Sequence, residues 1–266
     1  MVRTVLIAAC VCASLQALTA QSTPATTAGP ANGAVILASA PTPPILDRFI
    51  QLAGGPGATI VFVPTATLQK PGASLVYVPA GREAGGLKDR GATNIVVLHT
   101  FERTSADTDS FVEPLKRASG VWLAGGRPEN LLDSYAGTKV ETELRNVLAR
   151  GGVVGGVSAG AMVLGSETVN SELGADRQWV VRKAFGLLRA VAFQPHAQNP
   201  RLDTWLLKRS DLARLASDNA AAWVIQKDVA EIVGDGKSYV FTDSAGPDGM
   251  PFITLRGGDR YDLARR

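Results

Sequence analysis

Residues 150–166 read RGGVVGGVSAGAMVLGS. Gly152 to Val157 is a short, continuously apolar run, the kind of strand buried on both faces of a sheet. Ala161 to Leu164, just beyond it, suits a helix. Between them stands Gly156-Val157-Ser158-Ala159-Gly160, with the spacing G-x-S-x-G. A strand that turns directly into a helix holds the middle residue in a strained backbone conformation, and glycines two before and two after make room for it. The serine hydroxyl then projects at the carboxyl end of the strand. The backbone N–H groups behind it can face a developing oxyanion. The competing reading is a tight glycine turn with an incidental serine.

Upstream, apolar runs alternate with helical patterns. Gly33–Ala40, Ala58–Pro64, Asn94–His99 and Gly120–Ala124 read as strands. Pro44 opens a helical stretch closed by Gly54-Gly55, Asp107–Arg117 looks helical, and Thr138–Arg150 carries Val140, Leu144 and Val147-Leu148 on one side. Residues 67–92 are ambiguous, with a helix ending near Lys88-Asp89-Arg90. Short apolar strands separated by helices imply a mostly parallel sheet flanked by helices. After about residue 185 shorter strands follow: Leu187–Phe193, Trp223–Gln226, Ala230–Val233, Ser238–Phe241 and Phe252–Leu255. Gly234-Asp235-Gly236 and Gly246-Pro247-Asp248-Gly249 read as turns between them. The expected fold is therefore α/β, with a short antiparallel C-terminal extension.

The amino terminus has a different character. Residues 1–20, MVRTVLIAACVCASLQALTA, show a positive start at Arg3, an apolar run from Val5 to Leu18 and small residues up to Ala20. This order is that of a signal peptide, so a periplasmic or secreted location is expected. Ile7-Ala8-Ala9-Cys10 also has the shape of a lipobox. Residues 21–32, QSTPATTAGPAN, have no large apolar side chain and read as a flexible leader. Residues 33–266 are then one domain with a sizeable core. Both cysteines, Cys10 and Cys12, lie in the export segment, so the mature chain has no disulfide, thiolate metal site or cysteine nucleophile. Net charge is +3, one unit of it from Arg3, and no basic run interleaved with aromatics occurs. Nucleic acid is therefore not an expected partner, and no mature segment has the length of a membrane span. No His/Asp/Glu spacing suggests a metal, and no cofactor is expected.

A serine hydroxyl needs a base, and the chain has two histidines, His99 and His196. Each ends an apolar run. His196 is favoured because it follows the serine, in the proline-bracketed segment Gln194-Pro195-His196-Ala197-Gln198-Asn199-Pro200. Glu167, Glu172, Asp176, Asp228 and Glu231 all remain open as the acid that would orient its imidazole. Gly125-Gly126, after the fourth strand, lets the backbone approach a ligand. One N–H there could face an oxyanion beside that of Ala159, although a plain turn explains the glycines equally well.

Three segments together carry a family resemblance. VWLAGGRPENLLDSYAGT, RGGVVGGVSAGAMVLGS and FGLLRAVAFQPHAQNPRL are similar to the cyanophycinase and dipeptidase E family of serine peptidases. So are the opening GAVILASA…ILDRFIQLAGGPGATIVFVPTAT and the closing LRGGDRYDL. The resemblance spans roughly residues 33–264. It implies a flavodoxin-like fold related to class I glutamine amidotransferases, with serine replacing cysteine. It also implies Ser158 as nucleophile, His196 as base, oxyanion donors at Ala159 and in the Gly125-Gly126 turn, and frequent dimers.

The chain departs from the family pattern in places. The family's Asp-Gln-His-Phe is Gln194-Pro195-His196-Ala197 here, with Arg201 the one arginine close behind. Its Gly-Gly-Asp-Gln is Gly125-Gly126-Arg127-Pro128. Its Asp-Glu-Asp-Thr-Ala acid segment is placed at Ile225–Ala230, which sets Lys227 where a glutamate stands. A lysine cannot accept the imidazole proton. Asp228 and Gln226 are then the alternative orienting groups, and Arg127 and Arg201 the candidate substrate contacts.

The expected substrate is a short peptide or isopeptide with an acidic residue, with poor action on cyanophycin. Two other readings stand beside this one. One is a weakened or non-catalytic peptide-binding homologue. The other is an α/β-hydrolase esterase, which shares the elbow but usually places its histidine later in the chain.

Overall fold

The fully buried run Ala34–Ala38 forms β1. Two prolines open α1 (Pro43–Ala53), where a missing N–H leaves no bond unmade, and Gly54 at φ 109° ends it in the left-handed cap conformation. β2 (Thr59–Val63) follows. The computed structural model describes residues 27–70, 81–174, 178–198, 205–207, 209–244 and 250–265. Part of the ambiguous 67–92 stretch lies outside these, as do residues 1–26 and the turn expected at Gly246–Gly249. The described end of that stretch is α2 (Gly81–Asp89).

β3 (Asn94–Val97), the short α3 (Arg103–Ala106) and α4 (Asp109–Arg117) come next. Thr108 caps α4 by accepting from the Phe111 N–H. β4 (Gly120–Leu123) leads into α5 (Pro128–Tyr135), for which the apolar periodicity gave no expectation. α6 (Lys139–Ala149) starts at a Thr138 cap, and Glu141 reaches back to the Gly137 N–H at 2.8 Å. β5 (Val153–Val157) and the four-residue α7 (Ala159–Met162) bracket Ser158. Among the described residues the strands after α7 are β6 (Glu167–Leu173), β7 (Trp179–Lys183), β8 (Val191–Gln194), β9 (Ala213–Ser217), β10 (Ala221–Gln226), β11 (Val229–Gly234), β12 (Lys237–Phe241), β13 (Phe252–Arg256) and β14 (Arg260–Asp262).

The main sheet has the order β14-β11-β10-β1-β5-β4-β2-β3. β1, β5, β4, β2 and β3 are parallel, as expected for an α/β sheet. The antiparallel C-terminal strands divide in two. β10, β11 and β14 extend the main sheet beyond β1, whereas β12 pairs with both β9 and β13 in a second sheet of order β13-β12-β9-β8.

Successive strand residues face opposite sides, which builds two apolar layers. Val35, Leu37, Val61, Val63, Val121 and Leu123 pack on one face with the Leu144 side of α6. Ile36, Ile60, Phe62 and Trp122 pack on the other with α1. The fully buried Trp122 meets Phe49 edge-on at 4.9 Å. A Cβ at Gly155 would lie 2.7 Å from the Trp122 ring, so glycine makes room for the indole.

The domain begins earlier than Gly33. Ala28 is buried, its N–H donates to the Asp228 carboxylate at 2.7 Å, and Gly29 donates to the Lys227 carbonyl at 2.6 Å. Residues 27–32 are thus held by backbone bonds and by small-residue packing. A count of large apolar side chains cannot reveal either.

Candidate active site

Ser158 sits where β5 ends, at the carboxyl edge of the sheet, the usual place for sites in open α/β sheets. Its backbone N–H donates to the Ala38 carbonyl at 2.8 Å, fastening the elbow to the end of β1. Its φ is 52° and ψ −118°, a strained conformation for a non-glycine residue. The flanking glycines are sterically required. A Cβ at Gly156 would come 2.4 Å from the Gly160 carbonyl carbon, and one at Gly160 would come 2.3 Å from the Leu123 oxygen.

His196 follows β8, and its Nε2 lies 2.9 Å from Ser158 Oγ. The imidazole is carried at φ 61°, a second left-handed non-glycine residue in the site. Two backbone N–H bonds hold this loop, and their acceptors are themselves joined. The His196 N–H donates to Ser39 Oγ at 3.1 Å, and the Ala197 N–H donates to the Ser217 carbonyl at 2.9 Å. Ser39 Oγ in turn lies 2.8 Å from Ser217 Oγ and 2.9 Å from the Ser217 oxygen. Ser39 and Ser217 are both buried.

Nδ1 of His196 lies 2.6 Å from Asn219 Oδ1. The register explains this neighbour. β8 and β9 are parallel with Gln194 opposite Ala216, so the chains leave the sheet side by side, and residues about two beyond each strand end meet. The adjacent carboxylate, Asp218, is engaged elsewhere. Its two oxygens accept the Ala220 N–H at 2.9 Å and the Lys237 N–H at 2.8 Å.

None of the expected orienting residues that the structure describes occupies this place. β10 runs antiparallel to β1, so its start faces the site and its end faces away. Gln226, Lys227 and Asp228 form the turn at that far end, roughly 20 Å away at about 3.3 Å per residue. The Asp228 carboxylate binds the Ala28 N–H there, and the Lys227 N–H donates to the Pro30 carbonyl. Glu172 pairs with Arg127, Glu167 with Arg209, and Glu231 with Arg48. Asp176 lies outside the described residues. The segment that leads into β10 from the site side is Ser217-Asp218-Asn219-Ala220-Ala221. It too ends on alanine ahead of an apolar strand, and it stands one strand length before Ile225–Ala230.

The turn after β4 faces the elbow: a Cβ at Gly125 would lie 3.2 Å from that of Ser158. Gly126 has φ 131°, and a Cβ there would lie 2.3 Å from the Ala66 oxygen. Thr67 Oγ1 and the Ala66 carbonyl brace the turn by binding the Gly125 oxygen and the Arg127 N–H. Among the described residues, no backbone acceptor takes the N–H of Gly126 or of Ala159.

Arg127, next in the chain, donates Nε to Glu129 at 2.7 Å and Nη1 to Glu172 at 2.9 Å. Burial opposes ionisation of Glu129. The Ser171 hydroxyl and N–H, its own N–H and Arg127 outweigh that and hold its carboxyl below the usual range. These bonds seat the β6–β7 hairpin against α5. Arg201 lies outside the described residues.

His99 is not part of this cluster. Its Nδ1 lies 2.9 Å from Thr65 Oγ1, which is 2.6 Å from Tyr135 Oη, and its ring meets Phe101 edge-on. Burial lowers the pKa of His99. No group of three or more His, Cys, Asp or Glu among the described residues could hold a metal ion, and no described helix is long and apolar enough to cross a membrane.

The chain matches the model of peptidase family S51 over residues 35–232. It is 26% identical to a cyanophycinase of Geminocystis herdmanii, covering 82% of this chain and 87% of that one. It is 28% identical to a cyanophycinase of Synechococcus elongatus over 65% of this chain, where it spans about half (51%) of the relative's length. The crystal structure of a peptidase from an acI-B1 Actinobacterium superposes with a TM-score of 0.65 at 23% identity, covering 87% of this chain and 97% of that one, and so shares the fold. With the family match spanning most of the domain, the chain belongs to peptidase family S51 and is a serine-type peptidase that hydrolyses an amide bond.

Proposed function

We propose that hydrolysis runs through an acyl-enzyme on Ser158. The carrying observation is the 2.9 Å contact between Ser158 Oγ and His196 Nε2 at a strained strand-to-helix elbow. Oγ attacks the substrate carbonyl carbon as Nε2 takes its proton. The N–H groups of Ala159 and Gly126 receive the oxyanion. The imidazolium then gives its proton to the leaving amine, and water repeats the sequence to release the acid. No step requires a cofactor.

The substrate class follows from Arg127, one residue beyond the oxyanion turn. We propose short peptides or isopeptides, aspartyl ones included, with a carboxylate near the scissile bond. Glu172 is largely exposed, and an exposed pair of this kind is worth only about 0–1 kcal/mol. A substrate carboxylate can therefore take its place on the guanidinium at little cost. Cyanophycin is a poor substrate in this reading, because Arg201 stands alone behind His196. Residues 1–20 direct export, and the mature chain starts near Gln21.

The test is hydrolysis of an aspartyl dipeptide panel by the exported protein. Ser158→Ala is expected to lose about 10⁶-fold in kcat, the scale seen when a serine nucleophile is removed, and Glu172→Gln to lower KM for acidic substrates. Undiminished hydrolysis by Ser158→Ala, or rapid cyanophycin depolymerisation, overturns the respective part. A mature mass that includes Cys10 and Cys12 overturns the export reading.

A further inference from the structure

The bond on the far side of His196 is not explained by the pairing with Ser158. Both ring nitrogens are engaged, Nε2 by Ser158 Oγ at 2.9 Å and Nδ1 by Asn219 Oδ1 at 2.6 Å. We propose that Asn219 is the positioning residue of this site, an uncharged amide standing where a carboxylate usually orients the base.

The chemistry of the amide oxygen settles the tautomer. Oδ1 only accepts, so Nδ1 must carry the proton, and Nε2 is left with its lone pair facing the Ser158 hydroxyl. That is the form a general base needs. The opposite tautomer would present an N–H to Ser158 and could not take its proton.

The local fold dedicates Asn219 to this task and keeps the nearby carboxylate out. Each oxygen of Asp218 is engaged by a backbone N–H, of Ala220 and of Lys237, and these two bonds shape the turn that presents Asn219. The turn is tied again by the Asp218 N–H on the Lys237 carbonyl at 2.9 Å. Across from it, Ser39 and Ser217 fix the backbone of His196 and Ala197. The two chains thus meet at a set separation, and a side chain of asparagine length closes the gap. A neutral partner orients imidazole in the same way in the Cys-His-Asn sites of papain-like peptidases, where the nucleophile is a thiol. Here the nucleophile is a hydroxyl. It ionises less readily, so the reaction depends more on a correctly held base.

An amide cannot offset the charge of the imidazolium that forms when Ser158 gives up its proton. The site then has orientation without full electrostatic support. Replacing the amide by a carboxylate of the same shape supplies what is missing, and shortening it to alanine removes the orientation.

This inference rests on the Ser158–His196 reading, and its test has an arm that does not depend on hydrolysis. Nitrogen-15 NMR of labelled wild-type protein, recorded at a pH where the ring is neutral, is expected to show the His196 proton on Nδ1, and Asn219→Ala is expected to shift the ring toward the mixture of free imidazole. Kinetically, Asn219→Ala is expected to lower kcat by about 10–100-fold, part of the general-base contribution, with KM within about twofold. Asn219→Asp should equal or exceed the wild type in kcat. A wild-type ring protonated on Nε2, or an Asn219→Ala variant with unchanged kcat, overturns the proposal. So does an Asp218→Asn variant that loses activity while Asn219→Ala keeps it, which would assign the role to Asp218. Loss of the serine-hydrolase reading alone would show instead as hydrolysis that survives Ser158→Ala with the NMR result intact.

Discussion

Ser39→Ala removes one buried hydroxyl that joins the end of β1 to both loops of the site. Ser39 Oγ accepts the His196 N–H at 3.1 Å and lies 2.8 and 2.9 Å from the hydroxyl and carbonyl of Ser217. Alanine leaves a backbone donor and a buried oxygen short of a partner, at about 1–3 kcal/mol for each fully buried orphan. His196 is only partly buried, so a total near 2–3 kcal/mol is expected. That is a fall in Tm of about 4–12 °C for a domain of this size.

Activity should fall as well. The left-handed φ of 61° at His196 costs about 1–2 kcal/mol, and the Ser39 contact helps to hold it there. Freed of that contact, the loop relaxes in favour of conformers with the imidazole away from Ser158. A bias of about 1.4 kcal/mol is a tenfold loss of the competent population, so kcat/KM should fall about tenfold. Thermal melts followed by circular dichroism and steady-state kinetics on an activated acyl ester read the two effects separately. A variant that melts within about a degree of the wild type and turns over equally fast would refute the idea that Ser39 organises the site.

Gly156→Ala places a Cβ 2.4 Å from the Gly160 backbone, which cannot retreat. Chemical denaturation should show about 2–3 kcal/mol of lost stability, the scale of overpacking, with little hydrolysis left. Asp133 is partly buried, which raises its pKa, but hydrogen bonds from Lys70 and Arg182 outweigh this and leave its carboxyl below the ordinary value. A depressed carboxylate contributes stability above its unfolded pKa and loses it as pH falls through the folded one. Asp133→Asn should therefore be less stable than wild type at pH 7, by about 1 kcal/mol at most for pairs this exposed. The gap should close below about pH 4 in urea titrations. Lys227→Glu should leave kcat/KM within about twofold, because Lys227 sits in the β10–β11 turn at the far edge of the sheet. A large gain there would put β10 in the wrong direction.

The parallel half of the fold was legible because both faces of its strands are buried. That makes β1, β2, β4 and β5 continuous apolar runs that stand out beside polar loops. The elbow was legible for a steric reason: Gly156 and Gly160 cannot be anything larger. β6 and β7 were not, because their ribbon stands partly in solvent, and Leu173, Val180 and Val181 are exposed on it. The pairing of His196 with Ser158 could be guessed from scarcity, since the chain has two histidines. Its partner at Nδ1 could not. That depends on the parallel register of β8 and β9 and on the direction of β10, neither of which is local. Nothing in the residues around Asn219 singles it out from the other groups able to accept from an imidazole N–H.

The nucleophile itself is tested most directly by stoichiometric labelling. Incubation of the protein with a fluorophosphonate, followed by peptide mass mapping, should yield one adduct per chain on the peptide containing Ser158. Ser158→Ala should stay unlabelled, and His196→Ala should label far more slowly. Absence of an adduct from folded wild-type protein, or equal labelling of Ser158→Ala, would contradict a serine nucleophile at this elbow.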